Sequence, residues 1–279
     1  MVYSAEVSRT NPSCFLFLID QSGSMADSFG AGGSAQTKAA GVADAINRLL
    51  QNLVIKCAKE EGVRDYYHVG VISYGASVGP AFSGSLHGRD LVPISEIANS
   101  PARIEDRTKK VDDGAGGLVE QKVRFPIWFD PVASGGTPMC QGLSLARNTL
   151  QAWLNQHPSC FPPIVINITD GEATDGDPSD GANLIRALKS NDGEVLLFNL
   201  HISSHRATPT EFADSEDGLP DKFAQLLFGM SSILPDYMRR MAQEEGHRVS
   251  EASRGFVFNA NLEAVIKFLD IGTRPSNLR

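Results

Sequence analysis

The chain has 279 residues, a formal net charge of −8 and four cysteines. That length supports a sizeable core in one large α/β domain or two small ones, and the acidic balance gives no general attraction to nucleic acid or to an anionic membrane. No apolar run approaches the roughly 20 residues that span a bilayer, the N-terminus carries no signal-peptide core, and Cys14, Cys57, Cys140 and Cys160 form neither a Cys-x-x-Cys pair nor a zinc spacing, so reduced thiols and a cytoplasmic location are expected.

The first informative stretch is Phe15-Leu-Phe-Leu-Ile-Asp20-Gln-Ser22-Gly-Ser24-Met25. Its short, wholly apolar run predicts a strand buried on both faces, the habit of parallel sheets. Such sheets gather their sites at the carboxyl ends of their strands, where Asp20 stands. The alternation of Asp20, Ser22 and Ser24 lets one turning loop aim three oxygens at one point. A carboxylate with neutral hydroxyls suits a hard, hydrated cation such as Mg²⁺. Phe29–Ser34 reads as a flexible loop and lacks the Gly-Lys-Ser/Thr ending of a phosphate loop.

A long amphipathic helix follows, with Ala35, Ala39, Val42, Ile46, Leu49, Leu53 and Cys57 on its apolar face. Lys38, Asn47, Gln51 and Lys59 lie elsewhere around it, and Gly62 reads as its C-terminal stop. His68–Tyr74 is the second strand, and Val78–Phe82 is a half-strand able to pair antiparallel with it at an edge. Periodicity fades from Ser83 to Gln121, an elaboration with a short helix at Ile94–Asn99 and the glycine-rich run Gly114–Gly117. Within it, Arg103–Lys110 mixes basic and acidic residues and reads as a solvated surface segment. Lys122–Phe129 alternates like a strand.

Thr137-Pro138 predicts a helix start, Thr as N-cap and Pro at the first helical position, with Leu143, Ala146, Leu150, Trp153 and Leu154 on the core face. Pro162–Asp170 is a buried strand, Pro178–Ser190 a helix, Glu194–Ile202 a strand and Thr208–Leu219 a polar loop. Helices near Asp221–Phe228 and Leu234–Glu245, a short strand at Gly255–Phe258 and a closing helix at Leu262–Leu269 complete the chain. Strands alternating with helices, with no internal repeat and no clean linker, predict one doubly wound α/β domain over residues 1–279, a mostly parallel central sheet flanked by helices.

Two enzyme motifs compete. Gly75-Ala-Ser77-Val-Gly79 matches the Gly-x-Ser-x-Gly elbow of serine hydrolases, which requires a helix directly after it; Pro80–Gly84 shows no helical stripe. A triad would also need a downstream histidine such as His201, His205 or His247. Asp20 as a phospho-accepting nucleophile would ordinarily have a second Asp at +2, where this chain has Ser22. His201 and His205 read as ordinary surface histidines. No catalytic residue is expected.

Asp20-x-Ser22-x-Ser24 after a buried strand, followed in order by Ser134-Gly-Gly-Thr137-Pro138 and by Ile166-Asn-Ile-Thr-Asp170-Gly171, resembles the metal-ion-dependent adhesion site of von Willebrand factor type A (vWA) domains. The resemblance spans about Ser13 to Asp270, a Rossmann-like core that the elaboration at 83–121 interrupts. It implies that Ser22 and Ser24 are direct hydroxyl ligands, that Thr137 binds directly or through water, and that Asp20 and Asp170 supply charge, often through water. It further implies a divalent cation, Mg²⁺ foremost with Mn²⁺ or Ca²⁺ as alternatives. One position stays open for an Asp or Glu of a protein partner. The rim around the ion would be Gln21, Met25, Gly136, Pro138 and Glu172. Among vWA proteins the chain most resembles stand-alone bacterial intracellular ones, including those linked to tellurite resistance and to kinase–phosphatase signalling sets. A chelatase-like accessory role beside an ATPase, or a metal-dependent hydrolase or phosphatase using the same strand end, are the alternative functions.

Overall fold

Every residue of Ser13–Asp20 is buried, and this strand, β1, is the axis of the molecule. The computed structural model describes residues 3–28, 36–112, 118–202, 209–260 and 262–273. In chain order its elements are β1, α1 (Lys38–Cys57), β2 (Ala58–Lys59), β3 (Gly62–Val63), β4 (Tyr67–Tyr74), β5 (Val78–Pro80), β6 (Val92–Pro93), α2 (Ile94–Asn99), β7 (Arg103–Asp112), β8 (Leu118–Ile127), α3 (Met139–Gln156), β9 (Ile164–Thr169), α4 (Ser179–Arg186), β10 (Leu196–Ile202), β11 (Thr210–Glu211), α5 (Lys222–Met230), α6 (Asp236–Glu244), β12 (Phe256–Ala260) and α7 (Leu262–Thr273). The loop expected at Phe29–Ser34, the run Gly114–Gly117, His205 and the first residue of the 208–219 loop lie outside the described residues.

The central sheet has eight strands in the order β11-β12-β10-β9-β1-β4-β5, with β6 also on β4. β12, β10, β9, β1 and β4 run parallel, while β5, β6 and β11 attach antiparallel at the edges. The fold is α/β with a mostly parallel sheet and helices on both faces. Alternation along β1 explains the two faces: Phe15, Phe17 and Ile19 pack with α1, α2, α6 and α7, whereas Cys14, Leu16 and Leu18 pack with α3, α4 and α5.

From β1 the chain passes through α1 to β4 on one side, and later through α3 to β9 on the other. The seam between β1 and β9 is therefore where the connections diverge, and in open parallel sheets the crevice beyond such a seam is where ligands bind. Asp20 ends β1 and Asp170 follows β9.

The helix at 94–99 and the antiparallel edge strand after Tyr74 are where the sequence puts them. Three local expectations need correction. Gly62 does not end α1; the helix stops at Cys57 with Ala58 extended, and Gly62, at φ +116°, opens β3 directly after the Glu60-Glu61 turn of the small β2–β3 hairpin. Thr137 is not the N-cap of α3: Pro138 holds that position. Asp175 instead accepts the amide hydrogens of Cys140 (3.1 Å) and Gln141 (3.0 Å). The carboxylate serves the orphan donors of the first turn. The elaboration contains a two-stranded ribbon, β7–β8, paired over ten residues per strand and separate from the central sheet. Its mixed charges neutralise one another, Arg103 with Asp130 and Glu105, and Arg107 with Glu105 and Asp44.

Candidate functional site

Three loops meet beyond the β1–β9 seam. The Gln21 amide donates to the Tyr74 carbonyl at 2.7 Å, the Ser134 amide to the Gln21 carbonyl at 2.7 Å, and the Gly23 amide to the Gly135 carbonyl at 3.0 Å. The loops pass so closely that two glycines are required. A Cβ on Gly75 would stand 2.7 Å from the Gln21 carbonyl oxygen, and one on Gly135, at φ +83°, would stand 2.5 Å from the Ala76 nitrogen. No side chain fits at either point.

Asp20 is fully buried. Its Oδ1 accepts the Ser22 amide hydrogen at 2.8 Å and its Oδ2 accepts the Thr169 hydroxyl hydrogen at 2.8 Å. Burial pushes its carboxyl above the usual carboxylate range, and the hydrogen bonds from Ser22 and Thr169 pull the other way. Among the described residues Asp20 makes no ion pair.

Beside it runs a chain of oxygens. Ser24 Oγ donates to Asp170 Oδ1 at 2.8 Å, and the Ser22 and Ser24 hydroxyl oxygens are 3.0 Å apart. A hydroxyl has one proton to give, and that of Ser24 goes to Asp170, so Ser22 is the donor to Ser24. Around Mg²⁺, with bonds of about 2.1 Å at right angles, neighbouring ligand oxygens lie about 3.0 Å apart. The spacing of these oxygens and their chemistry, hard and hydroxyl-rich, fit such an ion. Among the described residues no group of three or more His, Cys, Asp or Glu gathers to hold a metal. Two carboxylates with serine hydroxyls are what this end of the sheet offers.

The sequence-derived ligands fall as follows. Asp20, Ser22, Ser24 and Asp170 are linked by direct contacts or through their neighbours. Thr137 is buried and stands two residues after Gly135; its amide donates to Thr174 Oγ1 at 3.0 Å, and its carbonyl accepts from Thr174 N–H at 2.9 Å. Of the expected rim, Gly136 and Glu172 are exposed and Gln21 and Pro138 half-buried. Met25 is a correction: it is completely buried, its side chain in the core with Ile19 and α1. In a turn that reverses between a buried strand and a helix, an apolar side chain is drawn inward.

Three participants escaped the sequence reading. Thr169, the last residue of β9, orders both Asp20 and the Gly171 amide, which donates to its Oγ1 at 3.2 Å. Its signal was its place beside Asp170 at a strand end. Lys38, placed by its spacing off the apolar face of α1, is buried; its ammonium nitrogen lies 2.8 Å from Asp170 Oδ2, 3.5 Å from the Ser24 carbonyl and 3.6 Å from the exposed carboxylate of Asp27. His201, read as a surface histidine, stacks on Phe258 with ring centroids 4.2 Å apart, and its Nδ1 accepts the Asn259 amide hydrogen at 3.2 Å. Burial lowers its pKa to about 4. A cleft of about 510 Å³ opens over this end of the sheet, lined by Ser24, Lys38, Asp170, Glu172, His201 and Phe258 among others. A cleft of about 610 Å³ beside the start of β10 holds Arg186, Arg239 and Arg254, whose guanidinium groups donate to backbone carbonyls of residues 228–234.

The serine-hydrolase motif lacks its geometry. Ser77 is exposed on a bend, and the chain continues into strand β5 rather than into a helix.

No protein-family model matches the chain, and no curated protein matches it. Among solved structures it is similar to the vWF domain of the type V pili tip protein Mfa5 from Porphyromonas gingivalis, at 18% identity and a TM-score of 0.32, over 58% of this chain and 39% of that one. It is also similar to the PilB minor pilin from Streptococcus sanguinis, at 11% identity and a TM-score of 0.43, over 94% and 61% of the two chains. A third is the pilus adhesin RrgA from Streptococcus pneumoniae, at 14% identity and a TM-score of 0.30, over 61% and 22%. The chain spans less than two thirds of the length of each of these.

Proposed function

We propose that the chain is a metal-dependent protein-binding module of the vWA kind. A divalent cation, Mg²⁺ foremost, is held by Ser22, Ser24 and Thr137 with Asp20 and Asp170 supplying charge, and it takes an Asp or Glu of a partner protein as its last ligand. The observation that carries this reading is the oxygen chain Ser22–Ser24–Asp170 set beside the buried Asp20 at the divergence of β1 and β9. Bound there, the ion supplies a positive centre for the incoming carboxylate. The chain's own residues do the rest: Thr169 and the Ser22 amide fix Asp20, Ser24 orients Asp170, and the glycine contacts hold the 134–137 loop against the first.

The role is binding rather than turnover. Ser77 leads into strand β5 rather than the helix its motif needs, and Ser22 stands at the +2 position after Asp20 where a phosphatase would ordinarily have its second carboxylate. The four cysteines are unpaired, which suits a reducing compartment, and we place the protein in the cytoplasm. The test is affinity capture with intact protein in Mg²⁺, in chelator, and with Ser24→Ala. A partner retained only by the wild type in Mg²⁺ supports the reading; a partner held equally in all three refutes the metal bridge.

A further inference from the structure

Lys38 is the first residue of α1, directly after the N-cap Thr37, whose side chain accepts the Ala40 amide hydrogen. A cation is the wrong charge for that position, because the amino end of a helix is itself positive, and the first turn of α1 contains no acid. A lysine ammonium is also seldom buried unless paired. Here its side chain is 6% exposed and that of its partner, Asp170, 0%. The backbone holds it there: the Lys38 amide donates to the Asp27 carbonyl at 2.9 Å, and Ser28 bridges to Thr37. The loop bearing Ser22 and Ser24 is thereby clamped to the start of α1, with the ammonium pointing into the oxygen cluster.

We infer that Lys38 is a built-in cation that competes with the metal for Asp170, so that metal entry requires the ammonium to leave. This rests on the metal-site reading above and names how that site is regulated. Asp170 turns one oxygen to Ser24 and the other to Lys38. A divalent ion joining Ser24 and the first oxygen would stand within about 5 Å of the ammonium, where like charges in a partly desolvated site repel strongly. The displaced side chain has a resting place ready. Asp27 is already 3.6 Å away, and its carboxylate is 64% exposed. Lys38 has four rotatable carbons and a fixed backbone, so it reaches Asp27 by side-chain rotation alone. With the ion absent, the ammonium neutralises Asp170 and keeps the site folded. With the ion present, Lys38 is released to the rim.

The experiment has two arms on the full chain. Mg²⁺ titration by calorimetry compares wild type, Lys38→Met and Ser24→Ala. Lysine acetylation followed by mass spectrometry, on wild type alone, reads the exposure of Lys38 with and without 10-fold excess Mg²⁺ over its measured Kd. The inference expects Lys38→Met to bind Mg²⁺ at least about 10-fold more tightly than wild type, and Lys38 labelling to rise several-fold when Mg²⁺ binds. Should Lys38→Met fail to fold, the labelling arm decides alone. Equal affinity in wild type and Lys38→Met, or labelling unchanged by bound Mg²⁺, overturns the competition while leaving the metal site standing. If neither protein binds Mg²⁺, Mn²⁺ or Ca²⁺, the metal site itself is refuted and the inference falls with it.

Discussion

The hydroxyl of Thr169, at the end of β9, donates to the buried Oδ2 of Asp20, at the end of β1, at 2.8 Å. This bond crosses the seam where the chain's connections diverge, and it gives Asp20 a second donor besides the Ser22 amide. Thr169→Val keeps the shape and removes the donor, leaving a buried acceptor unserved. Its expected cost is about 1–3 kcal/mol, read as a lowered midpoint in urea with an unchanged slope. A variant as stable as wild type would mean that Asp20 finds another donor.

Gly75 and Gly135 lie at the crossing of the site loops without offering a side chain to any ligand. Gly75→Ala places a methyl group 2.7 Å from the Gln21 carbonyl oxygen, so the loops must part. The account expects weaker metal binding by about 10-fold or more together with a stability loss of about 1–3 kcal/mol from overpacking. Calorimetry and urea denaturation on one preparation check both. Unchanged metal affinity would show that loop approach is not what assembles the site.

Asn47 tests the middle of the long α1. It is buried; its Nδ2 donates to the Phe129 carbonyl at 2.8 Å, and its Oδ1 accepts the amide hydrogens of Trp128 (2.8 Å) and Phe129 (3.1 Å). Asn47→Leu removes all three bonds and buries three backbone groups without partners. The expected loss is about 3 kcal/mol or more; a loss below about 1 kcal/mol would contradict the role given to it.

His201 predicts a pH dependence. An unfolded histidine titrates near 6.5, whereas burial lowers its folded pKa to about 4. Between those values the unfolded chain binds the extra proton and the folded chain does not, so stability falls as pH drops from about 6.5 towards 4, by up to about 1.4 kcal/mol per pH unit. His201→Asn retains an acceptor near the Asn259 amide and has no proton to gain. Its stability curve should be flatter across that window; an identical slope in both proteins would assign the acid sensitivity elsewhere.

The order of strands and helices was legible because periodicity and strand-end chemistry are local. The apolar run before Asp20 and the all-buried Ile164–Thr169 needed only their own residues to be read as inner strands. What escaped was decided by contacts far along the chain. Lys38 and Asn47 sit at polar positions of α1, and their period says surface. Their partners, Asp170 and residues 128–129, are 132 and about 80 residues away. The ribbon β7–β8 was half seen, because its first strand mixes charges that pair within the strand through Glu105 and, far along the chain, with Asp44 and Asp130. Thr137 was read as a cap because Thr-Pro ordinarily is one; Asp175, 35 residues from the amide it caps, took that part.

The most direct test of the cation site is crystallographic: crystals grown with Mn²⁺ in excess, and an anomalous difference map recorded at the manganese edge. The account predicts one strong peak beyond the β1–β9 seam, about 2.2 Å from the hydroxyl oxygens of Ser22 and Ser24, with the Lys38 ammonium turned away from Asp170 towards Asp27. No peak at that place, with the Lys38–Asp170 pair intact at Mn²⁺ concentrations that saturate other divalent sites, would contradict it.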